Sequence, residues 1–138
     1  MKHSVDLDWT GGMSFETELN GHKLVIDADE TVGGNDKGPR PKPLMLLSLA
    51  GCTGMDVVSI LKKMRVEFDD LKVSVDGELS EDQPKRYVSM HVVYTVKGKN
   101  LPLDKIKKAV KLSEESYCGV SAVYKKAMQI TSEIRLEE

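Results

Sequence analysis

The stretch from Pro43 to Arg65 restricts the possible folds of this chain more than any other. Leu44, Met45, Leu46, Leu47, Leu49, Ala50, Met55, Val57, Val58, Ile60, Leu61 and Met64 fall on nearly every side of a helix drawn through it. Only its end, with Lys62, Lys63 and Arg65, is basic. A helix that is apolar all round is expected to be buried all round. A chain of 138 residues buries roughly two-thirds of its unfolded surface. Covering every side of one long helix is hard in that size, so a second subunit is expected. Ser48, Gly51, Thr53, Gly54, Asp56 and Ser59 interrupt the apolar run, which is too polar for a membrane span.

The helix has a clear beginning. Residues 29–43, DETVGGNDKGPRPKP, form a Gly/Pro-rich loop. Pro39, Pro41 and Pro43 oppose helix until the segment ends, and a proline suits a first helical turn. Before the loop, Ser4–Trp9, Ser14–Leu19 and His22–Ala28 read as short strands. Asn20-Gly21 between the last two is a type I′ hairpin signal. After the helix, Leu71–Leu79 and Tyr87–Val96 alternate as strands around a SEDQPK turn. Leu103, Ile106 and Val110 then take helical spacing in a helix reaching about Glu115. A short helix over Gly119–Met128 and a last strand over Gln129–Leu136 complete the reading. The predicted order βββ-α-ββ-αα-β is α+β with antiparallel sheet, in a single domain over residues 1–138.

Composition narrows the function by exclusion. Twenty basic residues against 22 acidic ones leave a net charge of −2, which opposes general nucleic-acid binding. The N-terminus MKHSVDLDWTGG has no apolar secretory core. Two cysteines provide no disulfide framework, so the expected compartment is the cytoplasm, with no membrane partner. His3, His22 and His91 share no ligand spacing, and neither CxxC nor HExxH occurs. No metal site is expected.

The remaining candidates are the cysteines and a few charges. Ser48, Cys52, Asp56 and Ser59 fall on one stripe of the long helix, and a polar stripe there needs a polar counterpart or lines a cavity. Cys52 also reads as a small core hydrophobe, and a carboxylate one turn away opposes a reactive thiolate. Cys118 sits just before a helix start, where free amides lower a thiol pKa; it equally fits a cap packed under Tyr117. Lys37, Arg40 and Lys42 bring three cations toward the start of the long helix, where an anion is favoured.

With these segments in order, the chain resembles the OsmC/Ohr family of thiol peroxidases, and within it the YhfA-like branch. The resemblance is carried by GGNDKGPRPKPLMLLSLAGCTGMDVVSILKK and by KLSEESYCGVSAVYKKA. It implies an intertwined homodimer with antiparallel sheets around long buried central helices and active sites where subunits meet. It implies that Cys52 is the peroxidatic cysteine, oxidised to a sulfenic acid by an organic hydroperoxide. Cys118 is then the resolving cysteine, forming a disulfide that an external dithiol reduces. No cofactor is implied. The family's activating glutamate, ten residues before the reactive cysteine, is Lys42 here. Its glycine-rich turn, Trp9–Met13, carries no arginine. Arg40 and Lys42 are the available substitutes as thiolate or anion stabilisers. The alternative function is a non-catalytic protein holding a small acidic or acyl ligand in a dimer-interface pocket.

Overall fold

The computed structural model describes residues 1–138 and divides into two compact units, Met1–Met45 and Leu46–Glu138. The first unit holds a three-stranded antiparallel sheet of β1 (Asp8–Gly11), β2 (Ser14–Leu19) and β3 (His22–Ile26). The β2–β3 turn has Asn20 at φ 52° and Gly21 at φ 80°, the pair of positive angles that a type I′ hairpin requires. β1 begins at Asp8, later than the predicted Ser4, because it pairs only with β2 over a short bulged register.

The loop that follows is organised around a buried carboxylate. Asp27 accepts hydrogen bonds from the amides of Ala28 at 2.7 Å, Asn35 at 3.3 Å and Lys37 at 3.1 Å. The Ala28 amide is the main influence holding its carboxyl below the usual carboxylate range. Gly34 lies so close to the preceding chain that an added Cβ would stand 2.0 Å from the Ala28 carbonyl oxygen. Only glycine allows that approach. Arg40 closes the loop by donating to Asp36 at 2.5 Å and Asp29 at 3.2 Å.

The long helix, α1, runs Leu44–Lys63. In the single chain it buries one stripe, Leu49, Thr53, Val57 and Leu61, spaced four residues apart. The expectation of burial on every side is not met within one chain, since Leu47 and Met55 remain 65% and 77% exposed. By length and mean hydropathy α1 passes the test for a membrane span. Its buried stripe instead belongs to the protein core, with Met90, Val92, Tyr94 and Val96 of the second sheet.

That sheet has the order β4-β5-β6, formed by β4 (Asp70–Leu79), β5 (Tyr87–Lys97) and β6 (Gln129–Glu137). β4 and β5 are antiparallel, but β5 and β6 are parallel, pairing Met90 with Ile130 and Tyr94 with Ile134. The sheet is therefore mixed, which corrects the all-antiparallel expectation. Between β5 and β6 lie α2 (Leu103–Leu112), a single π-helical turn (Ser113–Tyr117) and α3 (Gly119–Tyr124). This helical crossover returns the chain to the end of the sheet where β5 began, and parallel pairing follows from it. α2 contributes Ile106, Ala109 and Val110 to the core.

Candidate active site

The reactive groups all come from the second unit. Cys52 and Asp56 lie one turn apart on α1, while Cys118 is brought to them by the π-turn. That turn widens the helix so that the Cys118 amide donates to the Ser113 carbonyl at 2.8 Å, and π-turns of this kind often mark functional positions. The two sulfurs and an Asp56 carboxylate oxygen all lie within 4.8 Å of one another. The structure thus unites Cys52, Cys118 and Asp56, residues 66 positions apart at the extremes. They are one protein ligand short of a closed tetrahedral zinc site.

The thiols differ in surroundings. Cys52 is half-buried, whereas Cys118 is buried. Burial is the main cause that pushes the Cys118 thiol up to about 11, assisted by its hydrogen bond to Cys52. Cys118 does cap α3, its sulfur accepting from the Ser121 amide at 3.3 Å. That amide favours the thiolate, as expected of a helix start, but desolvation outweighs it. The expected lowering of the Cys118 pKa is corrected to a rise. Cys118 is the thiol kept protonated at neutral pH, and Cys52 is the more accessible sulfur.

Behind the thiols runs a buried line of hydroxyls that the sequence reading missed. Ser113 Oγ donates to Asp56 Oδ2 at 2.9 Å and meets Thr53 Oγ1 at 2.8 Å. Thr53 Oγ1 meets the Tyr94 hydroxyl at 2.7 Å, and Tyr94 donates to Glu114 Oε1 at 3.0 Å. Thr53, Tyr94 and Ser113 are essentially inaccessible. Burial is the first cause raising the Tyr94 phenol above its ordinary range, so it stays protonated. Glu114 also accepts from Ser132 Oγ at 3.3 Å, and its carbonyl oxygen accepts from Lys125 Nζ. The available signal was Thr53, a hydroxyl beside Cys52 on an apolar helix, but its partners lie 41 and 60 residues away.

Asp56 also opens on a cavity of about 520 Å³, whose lining includes Ile60, Met64, Leu112 and Tyr117 with Lys63 and Lys108. Ser48 and Ser59, the other members of the predicted stripe, are exposed on α1. Arg40 and Lys42 belong to the first unit, where Arg40 is engaged by Asp29 and Asp36.

Comparison with known proteins identifies the family and the fold. Residues 34–133 match the family model described as OsmC-like protein. Protein YhfA of Escherichia coli K12 is 34% identical over 124 residues, covering 89% of this chain and 90% of that protein. A hypothetical protein from Aquifex aeolicus VF5, known by its crystal structure, is 33% identical with a TM-score of 0.83 over the full length of both chains. The organic hydroperoxide resistance protein OhrB of Bacillus subtilis shares the fold at 18% identity, with a TM-score of 0.64 over 96% of this chain and 98% of that one. On the family match and the identity to its relatives, this chain belongs to the OsmC-like protein family.

Proposed function

We propose that the protein is a thiol-dependent hydroperoxide reductase in which Cys52 attacks the substrate and Cys118 resolves the product. The observation that carries this reading is the approach of the two sulfurs to within 4.8 Å, with Cys118 hydrogen-bonded to Cys52. The Cys52 thiolate attacks one peroxide oxygen, an S–O bond forms, the O–O bond breaks, and the alkoxide leaves as an alcohol after taking a proton. The Cys118 sulfur then attacks the Cys52 sulfenic acid, forming a disulfide and releasing water. An external dithiol restores both thiols.

A direct test treats the reduced protein with one equivalent of cumene hydroperoxide and measures intact mass. The expected product is the intramolecular Cys52–Cys118 disulfide, lighter by two hydrogens and located by peptide mapping. Unchanged mass, with the hydroperoxide left intact, ends this reading. A second reading is then favoured by the cavity beside Asp56, whose apolar wall and Lys63/Lys108 rim suit a small acidic or acyl ligand. In that case native mass spectrometry finds such a ligand retained.

The working unit is proposed to be a homodimer. Supporting it are the exposed Leu47 and Met55 on α1 and an apolar groove beside them, lined by Gly51, Gly54, Met55, Val58, Leu71 and Val73. Apolar surface gathered on one helix face is suited to a partner. Light scattering should give about twice the chain mass of 15.3 kDa. Leu47→Lys/Met55→Lys should give the single-chain mass, and a wild-type protein monomeric at micromolar concentration removes the proposal.

A further inference from the structure

The hydroxyl line behind the thiols has a property fixed by counting protons. It makes four contacts, from Asp56 through Ser113, Thr53 and Tyr94 to Glu114. Its three hydroxyls supply three protons, and ionised carboxylates supply none. When Ser113 donates to Asp56 and Tyr94 to Glu114, Thr53 has one proton for two oxygen neighbours. One of its contacts, at 2.8 Å to Ser113 or 2.7 Å to Tyr94, is then oxygen against oxygen with no proton between. An unpaired contact of that kind is costly at a buried site.

One added proton removes the defect. On Asp56, it turns every hydroxyl toward Glu114; on Glu114, it turns every hydroxyl toward Asp56. Reversing the three hydroxyls in sequence carries a proton's charge from one carboxylate to the other. We propose that Asp56, Ser113, Thr53, Tyr94 and Glu114 form a one-proton relay serving the thiol pair. Asp56 is its inner end, within 4.8 Å of both sulfurs, and half-buried Glu114 is its outer end.

This inference rests on the peroxidase reading for its purpose, though not for its existence. Both steps of that chemistry take a proton from a thiol and return one to departing oxygen. The first protonates the alkoxide, and the second takes the Cys118 proton and protonates the leaving hydroxide. Asp56 accepts the thiol proton, the hydroxyls share it with Glu114, and the same proton returns to the leaving oxygen. No net proton is gained or lost in either step. The high Cys118 pKa makes a base for the second step valuable. The raised Tyr94 pKa keeps its hydroxyl available to pass a proton rather than to ionise.

The charged groups at the ends are few. Lys63 and Lys108 line the cavity onto which Asp56 opens, and Lys125 donates to the Glu114 carbonyl oxygen. Near Cys118 the other titratable group is Tyr124, whose pKa is raised by burial and by that thiol. Ser113, Thr53 and Tyr94 are positioning residues, because they touch neither sulfur nor substrate in this scheme.

Tyr94→Phe removes the hydroxyl joining Thr53 to Glu114. Glu114→Gln changes only the outer end and keeps its shape, so it decides the matter if Tyr94→Phe fails to fold. In both variants the remaining donors satisfy a charged Asp56, with Thr53 donating to Ser113 and Ser113 to Asp56. A carboxylate fixed in its charged form opposes a thiolate beside it. The full-length protein is alkylated with iodoacetamide across pH, and modification of Cys52 is followed by peptide mass spectrometry. Both variants should move the midpoint upward by about half a pH unit or more. Disulfide closure after cumene hydroperoxide should slow about tenfold, with the multi-proton solvent isotope effect reduced. Midpoints shifted in both variants, with no disulfide even in wild type, support the relay and end the peroxidase reading. Unshifted midpoints with wild-type closure rates overturn the relay and leave the peroxidase reading in place.

Discussion

Cys52→Ser abolishes hydroperoxide consumption, while Cys118→Ser still consumes one equivalent and then stops. This pair of results is expected on the proposed mechanism, which gives the two sulfurs different tasks to match their different surroundings. A serine hydroxyl at position 52 is protonated across the working pH range and is a poor nucleophile toward an O–O bond, so turnover falls to background. Position 118 is needed only after a sulfenic acid exists. Its loss leaves Cys52 oxidised once, detectable as a mass gain of one oxygen or by trapping with dimedone. Coupled consumption of dithiol and hydroperoxide measures the first effect, and single-turnover mass spectrometry the second. Equal turnover by wild type and Cys52→Ser ends the assignment of Cys52 as nucleophile. Sustained turnover by Cys118→Ser shows that the external dithiol reduces the sulfenic acid directly.

Leu61→Ala lowers stability by about 3 kcal/mol, the range expected for removing a large aliphatic side chain from a packed core. Leu61 has no exposed surface and packs with Val57 on α1 against the β5 residues and α2. The cavity left behind is bounded by helix and sheet, which relax only in part. For a chain of this size that loss corresponds to a fall in Tm of about 10 °C. The measurement is denaturant unfolding followed by circular dichroism, with the m-value checked for constancy. A change under about 1 kcal/mol would mean that the α1–sheet contact repacks freely, contrary to the burial described above.

Most of the fold is legible in the sequence because its signals are local. Asn20-Gly21 specifies a turn by backbone angle, Pro43 marks the helix start, and alternation along β5 gives a strand. The parallel pairing of β6 was not legible. Strand direction depends on where a crossover delivers the chain, and alternation along Gln129–Glu137 is the same for either direction. That one chain leaves part of α1 uncovered was legible, but which side it covers was not, since apolar residues on every side say only that every side wants cover. A single chain supplies that cover along Leu49, Thr53, Val57 and Leu61.

The site divides in the same way. Cys52 and Asp56 share a helix stripe and could be paired by spacing alone. The approach of Cys118 followed only from family resemblance, because 66 residues separate it from Cys52. Ser113 and Tyr94 gave no signal, and Thr53, the one hint, did not point to partners 60 and 41 residues away. A buried hydroxyl is ordinary, and becomes part of a line only when three distant elements converge. The direction of the Cys118 pKa was misjudged for a related reason, since a helix start is visible in sequence but the depth of burial around it is not.

The core stripe of α1 and its chemical stripe lie side by side, one residue out of phase: Leu49, Thr53 and Val57 against Ser48, Cys52 and Asp56. One residue of helix is a rotation of about 100°. With the first turn held, gaining a single residue ahead of Ser48 turns Cys52 and Asp56 into the core positions, whereas losing one turns Leu49 and Val57 out of the core to where Ser48 and Asp56 stood. A change in length within this segment is therefore expected to disturb core and site together, where a substitution disturbs one position.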